Sequence, residues 1–109
     1  MVTIDHNNSE KTMTCTFSNR LDTIASIQIV EEINNQMASI RGINDVAVLA
    51  DVNIIFDLTD VVFISSSFIR ICVGTSKQVQ SGNFCIMNCD PFIKKTFKIA
   101  GLDGILNVT

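Results

Sequence analysis

Alternation of polar and apolar residues marks the start of the chain. Residues 2–5 (Val-Thr-Ile-Asp) alternate weakly, and residues 12–17 (Thr-Met-Thr-Cys-Thr-Phe) alternate throughout. That period belongs to a half-buried strand, whose successive side chains point to opposite faces of a sheet. His6 to Lys11 between them is rich in turn residues, so the two segments predict a β-hairpin.

The period then changes. Between Arg20 and Gly42, residues Ile27, Val30, Ile33, Met37 and Ile40 fall three or four apart and share one face of a helix. Asp22 or Thr23 is suited to cap its start, Arg41 suits the negative end of its dipole, and Gly42 suits a left-handed stop. Residues 52–64 hold two apolar runs. Asn53-Ile54-Ile55-Phe56 shows no alternation, which is the habit of a central strand covered on both faces. Residues 66–82 predict a second helix, with Phe68, Ile69, Cys72, Val73, Ser76 and Val79 inward and Gly82 as its stop. Residues 83–88 read as another buried strand.

Residues 90–102 carry the clearest punctuation. Asp90 is a good N-cap, Pro91 fits the first helical position, Gly101 fits the left-handed stop, and Leu102 is placed to fold back on Phe97. Residues 104–108 predict a last short strand. The order β-β-α-β-α-β-α-(β) makes the class α/β with a mixed sheet. A strand–helix–strand unit within it crosses over right-handed when its strands are parallel.

With 109 residues and no linker, repeat or low-complexity stretch, residues 1–109 read as a single domain. Apolar residues make up 47% and charged ones 17%, so the chain has the material for a core. The net charge is −3 and no Lys/Arg run occurs, which argues against nucleic acid and anionic membrane as partners. The first residues lack the basic start and apolar centre of a signal peptide, and no stretch approaches the ~18 apolar residues of a membrane span. A cytoplasmic protein without membrane insertion is expected, with its four cysteines reduced. Cys85 and Cys89 are the only close pair, and neither a second pair nor a nearby histidine completes a zinc site. All four read as small packing residues.

Little else points to chemistry. His6 is the sole histidine, and the serine cluster lacks the glycine-flanked elbow of a nucleophilic serine. No phosphate-binding glycine motif is present, so no cofactor is expected. Asp57 and Asp60 read as turn carboxylates rather than metal ligands, and Lys94, Lys95 and Lys98 as a solvated helix face. An enzyme is the least favoured class.

Ser65, Ser66 and Ser67 stand at the start of the second helix. One hydroxyl suffices as a cap. A helix N-terminus has unpaired N–H groups and a partial positive charge, so a phosphorylated serine there gains donors and changes the surface by about −1.5 to −2 charges.

Three stretches resemble the STAS domains, the bacterial anti-sigma-factor antagonist family. Residues 17–26 (FSNRLDTIAS) are similar to its Gly-x-Leu-Asp approach to the first helix, with Leu21 and Asp22 in place and Asn19 where Gly is usual. Residues 54–73 (IIFDLTDVVFISSSFIRICV) resemble the buried strand, the Asp-Ser-Ser-Gly turn and the second helix. Residues 90–106 resemble the closing helix with its Gly-Leu-Asp tail. The resemblance implies a curved mixed sheet with helices mainly on one face.

It also implies a binding module whose partner is an anti-sigma factor with serine-kinase activity, reversed by a phosphatase. The acceptor then falls on Ser66, and the docking set on Asp22, Ser65, Ser66, Ser67, Phe68 and Arg70. Ser65 replaces the family's Asp, and Phe68 and Arg70 replace two glycines. The lost carboxylate removes a charge beside the acceptor, and Phe68 adds bulk where a partner backbone would approach. Arg70 lies one turn past Ser66, where it reads first as a solvated side chain and second as a pair for a phosphate. These departures suit an alternative, a non-phosphorylated interaction subunit of a transporter ATPase or a signalling scaffold. A third possibility is nucleotide or small-molecule sensing between the serine loop and Asp22. The exposed edge of the hairpin leaves room for a homodimer.

Overall fold

The computed structural model describes residues 2–7, 9–41, 52–80 and 82–109. Strand β1 (Val2–Asn7) pairs antiparallel with β2 (Thr12–Leu21), as the alternation predicts. Helix α1 (Thr23–Arg41) follows, and β3 (Asn53–Ile64) returns parallel to β2. Helix α2 (Ser66–Ser76), strand β4 (Phe84–Met87) parallel to β3, and helix α3 (Pro91–Ile99) complete the order. The sheet runs β1-β2-β3-β4, so β3 is central.

One face of that sheet carries the core. Met13, Cys15 and Phe17 of β2, Ile54, Phe56 and Leu58 of β3, and Phe84 and Ile86 of β4 are buried there. Ile29, Ile33 and Met37 of α1, Phe68 and Cys72 of α2, and Ile93 and Phe97 of α3 cover them in one cluster. The opposite face carries Thr3, Asp5, Thr14, Thr16, Asp57 and Met87, none of them buried. The helices therefore pack on a single face.

Four expectations change. In α1 the inward stripe is Ser26, Ile29, Ile33 and Met37, while Ile27 and Val30 stand 64% and 38% exposed. Both stripes have helical spacing, and only the first faces β2 and α2. The stop expected at Gly42 lies outside the described residues, as do the side chains of Ile40 and Arg41. Helix α2 ends at Ser76 rather than near Gly82, within a Gly-Thr-Ser run of weak helix formers. The Ser76 hydroxyl donates back to the Val73 carbonyl at 2.7 Å, and Gly82 takes φ +90° before β4 instead. Asn53 stands exposed and Ile55 only half-buried, so β3 is covered fully on its helix side alone. Residues 104–108 form turns, because Asn107 at φ +49° interrupts extension, and only Val108 bridges Ile86.

Helix α3 keeps all its punctuation. Asp90 accepts from the Phe92 N–H at 2.8 Å and Pro91 opens the helix. At the other end Gly101 has φ +74°, the Leu102 N–H donates to the Phe97 carbonyl at 2.9 Å, and the Gly101 N–H donates to Lys98 at 3.0 Å. This paired closure satisfies two orphan carbonyls. No helix among the described residues is long and apolar enough to cross a membrane.

Candidate functional site

The parallel strands β2, β3 and β4 all end at one edge of the sheet, and each leads into a helix. Three helix N-termini therefore gather along that edge, capped by Asp22, Ser65 and Asp90.

The first two caps are tied together. Leu21 and Ile64 are ladder partners at the ends of β2 and β3, and the Ser65 N–H donates to the Leu21 carbonyl at 2.9 Å. Asp22 Oδ1 accepts from the Ala25 N–H at 2.9 Å, and the buried Ser26 hydroxyl donates to the Asp22 carbonyl at 2.8 Å. Asn19, where a glycine is usual, sits at φ +66° beside the register shifts of β2 against β3. Asn tolerates that left-handed conformation better than most side chains, so the irregularity within β2 survives the replacement.

The serines divide their work. Ser65 is extended (φ −96°, ψ 167°) and its Oγ accepts from the Phe68 N–H at 3.2 Å. The capping serine is thus the one that stands in place of an acid. Ser66 opens the helix, is exposed, and makes no side-chain hydrogen bond among the described residues. Ser67 is half-buried. Arg70, exposed one turn on, has no ion pair among the described residues.

Phe68 does not belong to this surface. Its side chain is fully buried, with its ring centroid 5.1 Å from that of Phe17 and 6.1 Å from that of Phe56. A helix that buries its third residue in an aromatic core presents no bulk to a visitor there, so the docking set loses Phe68.

Apolar side chains surround the corner, among them Ile27 and Val30, which the helical spacing predicts inward. A shallow, mostly apolar groove runs between α1 and α2, lined by Ile27 and Val30 on one side and Ser67, Arg70 and Ile71 on the other. At the end of β3, Val62 is 73% exposed, and Phe63 carries the Arg20 guanidinium 4.3 Å above its ring. The available signal was the run Val61-Val62-Phe63-Ile64, which a period of two cannot turn wholly inward.

The other candidates separate from this corner. Asp57 accepts from the Thr59 hydroxyl at 2.6 Å, the Thr59 N–H at 3.0 Å and Asn88 Nδ2 at 3.2 Å. The Thr59 hydroxyl is the main reason its carboxyl titrates below the usual range. Asp60 lines an open polar cleft with Ser18, Asn19 and Asn88, and none of the three serines borders it. His6 lies half-buried on β1 opposite Met13. Among the described residues no three metal-binding side chains converge. Cys15 and Cys72 are buried in the core, and Cys85 and Cys89 are half-buried. Burial raises all four thiols, Cys15 to about 12 and Cys89 to about 11.

A family model described as STAS domain matches residues 3–109. The fold is similar to that of the anti-sigma factor antagonist SpoIIAA in its unphosphorylated form. The TM-score is 0.73 at 18% identity, over 100% of this chain and 88% of that one. It is also similar to an anti-sigma factor antagonist from Mycobacterium paratuberculosis, with TM-score 0.77, 14% identity, and 99% and 83% of the two chains covered. A STAS domain protein from Planctomyces limnophilus gives 0.76 at 20% identity, with 99% and 87% covered. Among curated proteins no sequence matches.

Proposed function

Because the chain belongs to the STAS domain family, we propose that it is a protein-interaction module of the anti-sigma-factor antagonist type, not an enzyme. It docks an anti-sigma factor that is itself a serine kinase at the corner where α1 and α2 begin. Asp22, Ser65, Ser66, Ser67 and Arg70 contribute from that corner, and the groove beside Ile27 and Val30 extends the contact.

Ser66 is the switch. The kinase moves the γ-phosphoryl group of a bound ATP to Ser66 Oγ: an O–P bond forms, the bond to the β-phosphate oxygen breaks, ADP leaves, and the hydroxyl proton passes to a base on the kinase. The product adds about −1.5 to −2 charges beside an apolar surface, and a partner seated there must desolvate or repel them. A phosphatase restores the hydroxyl.

The supporting observation is the division of labour among neighbours. Ser65 caps and Phe68 packs, which leaves Ser66 exposed with no structural bond to break. The test is calorimetric titration of the anti-sigma factor with wild type, Ser66→Ala and Ser66→Asp. Loss of binding in Ser66→Asp alone, with its circular dichroism unchanged, is expected. Equal affinity of the Ala and Asp forms refutes the switch.

A second reading is favoured by Ser65, which sets no carboxylate beside the acceptor. In it the same corner docks a transporter ATPase or a signalling scaffold without phosphorylation. A pull-down from the native host that returns an ABC-type ATPase and no kinase supports it.

A further inference from the structure

We propose that the chain associates head to tail with copies of itself, the outer face of α3 on one copy docking on the outer face of α1 of the next. Helix α3 turns Ile93 and Phe97 inward and leaves Phe92 and Ile99 83% and 78% exposed. Residues 92, 95 and 99 share one helical face, so Lys95 lies between the two apolar side chains, with Lys98 beside it. Three of the chain's eight cations fall within Pro91–Ile99, and no acid does.

Helix α1 has the complementary face. Behind its inward Ile29 and Ile33, Ile24 and Ile27 are 79% and 64% exposed, with Glu31 one turn past Ile27 and Glu32 next to it. No Lys or Arg occurs between residues 23 and 39. Within each helix the charges beside the apolar pair are of one sign, and the signs are opposite; from outside the two helices Arg70 of α2 lines the groove at Ile27 and Asp90 caps α3 at Phe92. Among the described residues none of Lys94, Lys95, Lys98, Glu31 or Glu32 has an ion pair.

The two faces do not meet within one copy, since both are exposed. Helix α1 packs over β2 and α2, and α3 packs over β3. Their complement is thus another molecule, and at Ile27 that molecule competes with the proposed partner for the same side chain. Because each contact joins different faces, the arrangement is heterologous: it closes as a ring or extends as a row. The faces are small, so association is weak and grows with concentration. Exposed ion pairs carry part of it, so salt weakens it.

Sedimentation velocity of the full chain over a concentration series, at low and high salt, tests the proposal. The weight-average sedimentation coefficient rises with concentration at low salt and rises less at high salt. A double variant Lys95→Glu/Lys98→Glu and a double variant Glu31→Lys/Glu32→Lys each sediment as monomers, because both faces of each then share a sign. All four positions are exposed, so both variants keep the wild-type circular dichroism. An equimolar mixture of the two doubles regains association, because each supplies the charge that the other lost. A wild type that stays monomeric throughout, doubles that associate like wild type, or a mixture that stays monomeric overturns the proposal. The second of these outcomes moves the contact to the β1 edge.

Discussion

Replacing Phe68 with alanine separates a core residue from a docking residue. The Phe68 ring packs near-perpendicular to Phe17 at 5.1 Å, and Phe17 and Phe84 each lie 4.9 Å from Phe56. Phe68 is the α2 member of this aromatic cluster, so its removal loosens the helix from β2 and β3 together. Truncating a buried Phe to Ala costs about 3–5 kcal/mol, including the cavity left behind. Each aromatic contact accounts for roughly 0.5–1.5 kcal/mol of that. A domain holds about 5–15 kcal/mol in total, so the variant folds but is marginal. In urea, with a slope near 2 kcal/mol per molar, a loss of about 4 kcal/mol lowers the midpoint by about 2 M. Phe68→Leu keeps most of the volume and costs under about 1.5 kcal/mol. A midpoint for Phe68→Ala within about 0.5 M of wild type refutes the burial argument and returns Phe68 to the surface set.

Thermal melting of Ser65→Ala and Ser65→Asp tests the cap: the first loses about 1 kcal/mol, and the second matches or slightly exceeds wild type because a carboxylate suits a helix start. A Ser65→Ala protein that melts like wild type removes Ser65 from the cap. Alkylation by iodoacetamide at pH 8, followed by mass, checks the thiols. Cys72 reacts only on unfolding and Cys89, raised to about 11 chiefly by burial, reacts more slowly than an unfolded control. Rapid labelling of Cys72 in the folded state contradicts its burial. Asp57 titrates low because the Thr59 hydroxyl donates to it, so its stabilising contribution is complete above the unfolded value near ~4 and disappears as pH falls through the lower folded value. Asp57→Asn is therefore slightly less stable at pH 7, and denaturation midpoints of the two proteins converge in strong acid; a gap that is constant with pH contradicts the linkage.

Local signals decided what was legible beforehand. The hairpin and the whole of α3 followed from alternation and from Asp90, Pro91 and Gly101, because each of these signals acts on nearby backbone. The inward face of α1 was not legible in the same way. Ile24, Ile27 and Val30 form one helical row and Ile29, Ile33 and Met37 another, and only the neighbouring β2 and α2 choose between them. The serine corner was half legible. A cap was evident, but whether Ser65, Ser66 or Ser67 supplied it depended on where β3 stops. That point is fixed by the hydrogen bond from Ser65 to Leu21, a contact 44 positions apart in sequence (65 − 21). Phe68 was misread because a family glycine suggests an open surface, whereas this chain fills the space beneath α2 with the fourth ring of the cluster.

The three caps along the sheet edge also differ in charge, and this matters before any contact forms. Each helix start projects about half a positive charge. At α1 and α3 a capping carboxylate, Asp22 or Asp90, cancels that field, whereas at α2 the cap is the neutral Ser65 and the first turn contains no acid. Among the three described helix starts, the first turn of α2 alone thus keeps its positive pole uncompensated, in a chain of net charge −3. Diffusing partners respond to such asymmetry through encounter rate and approach angle rather than through final affinity. For this protein, an anionic group that reaches this sheet edge at low ionic strength is drawn to the start of α2 rather than of α1 or α3, and adding salt or filling position 65 with a carboxylate erases that preference.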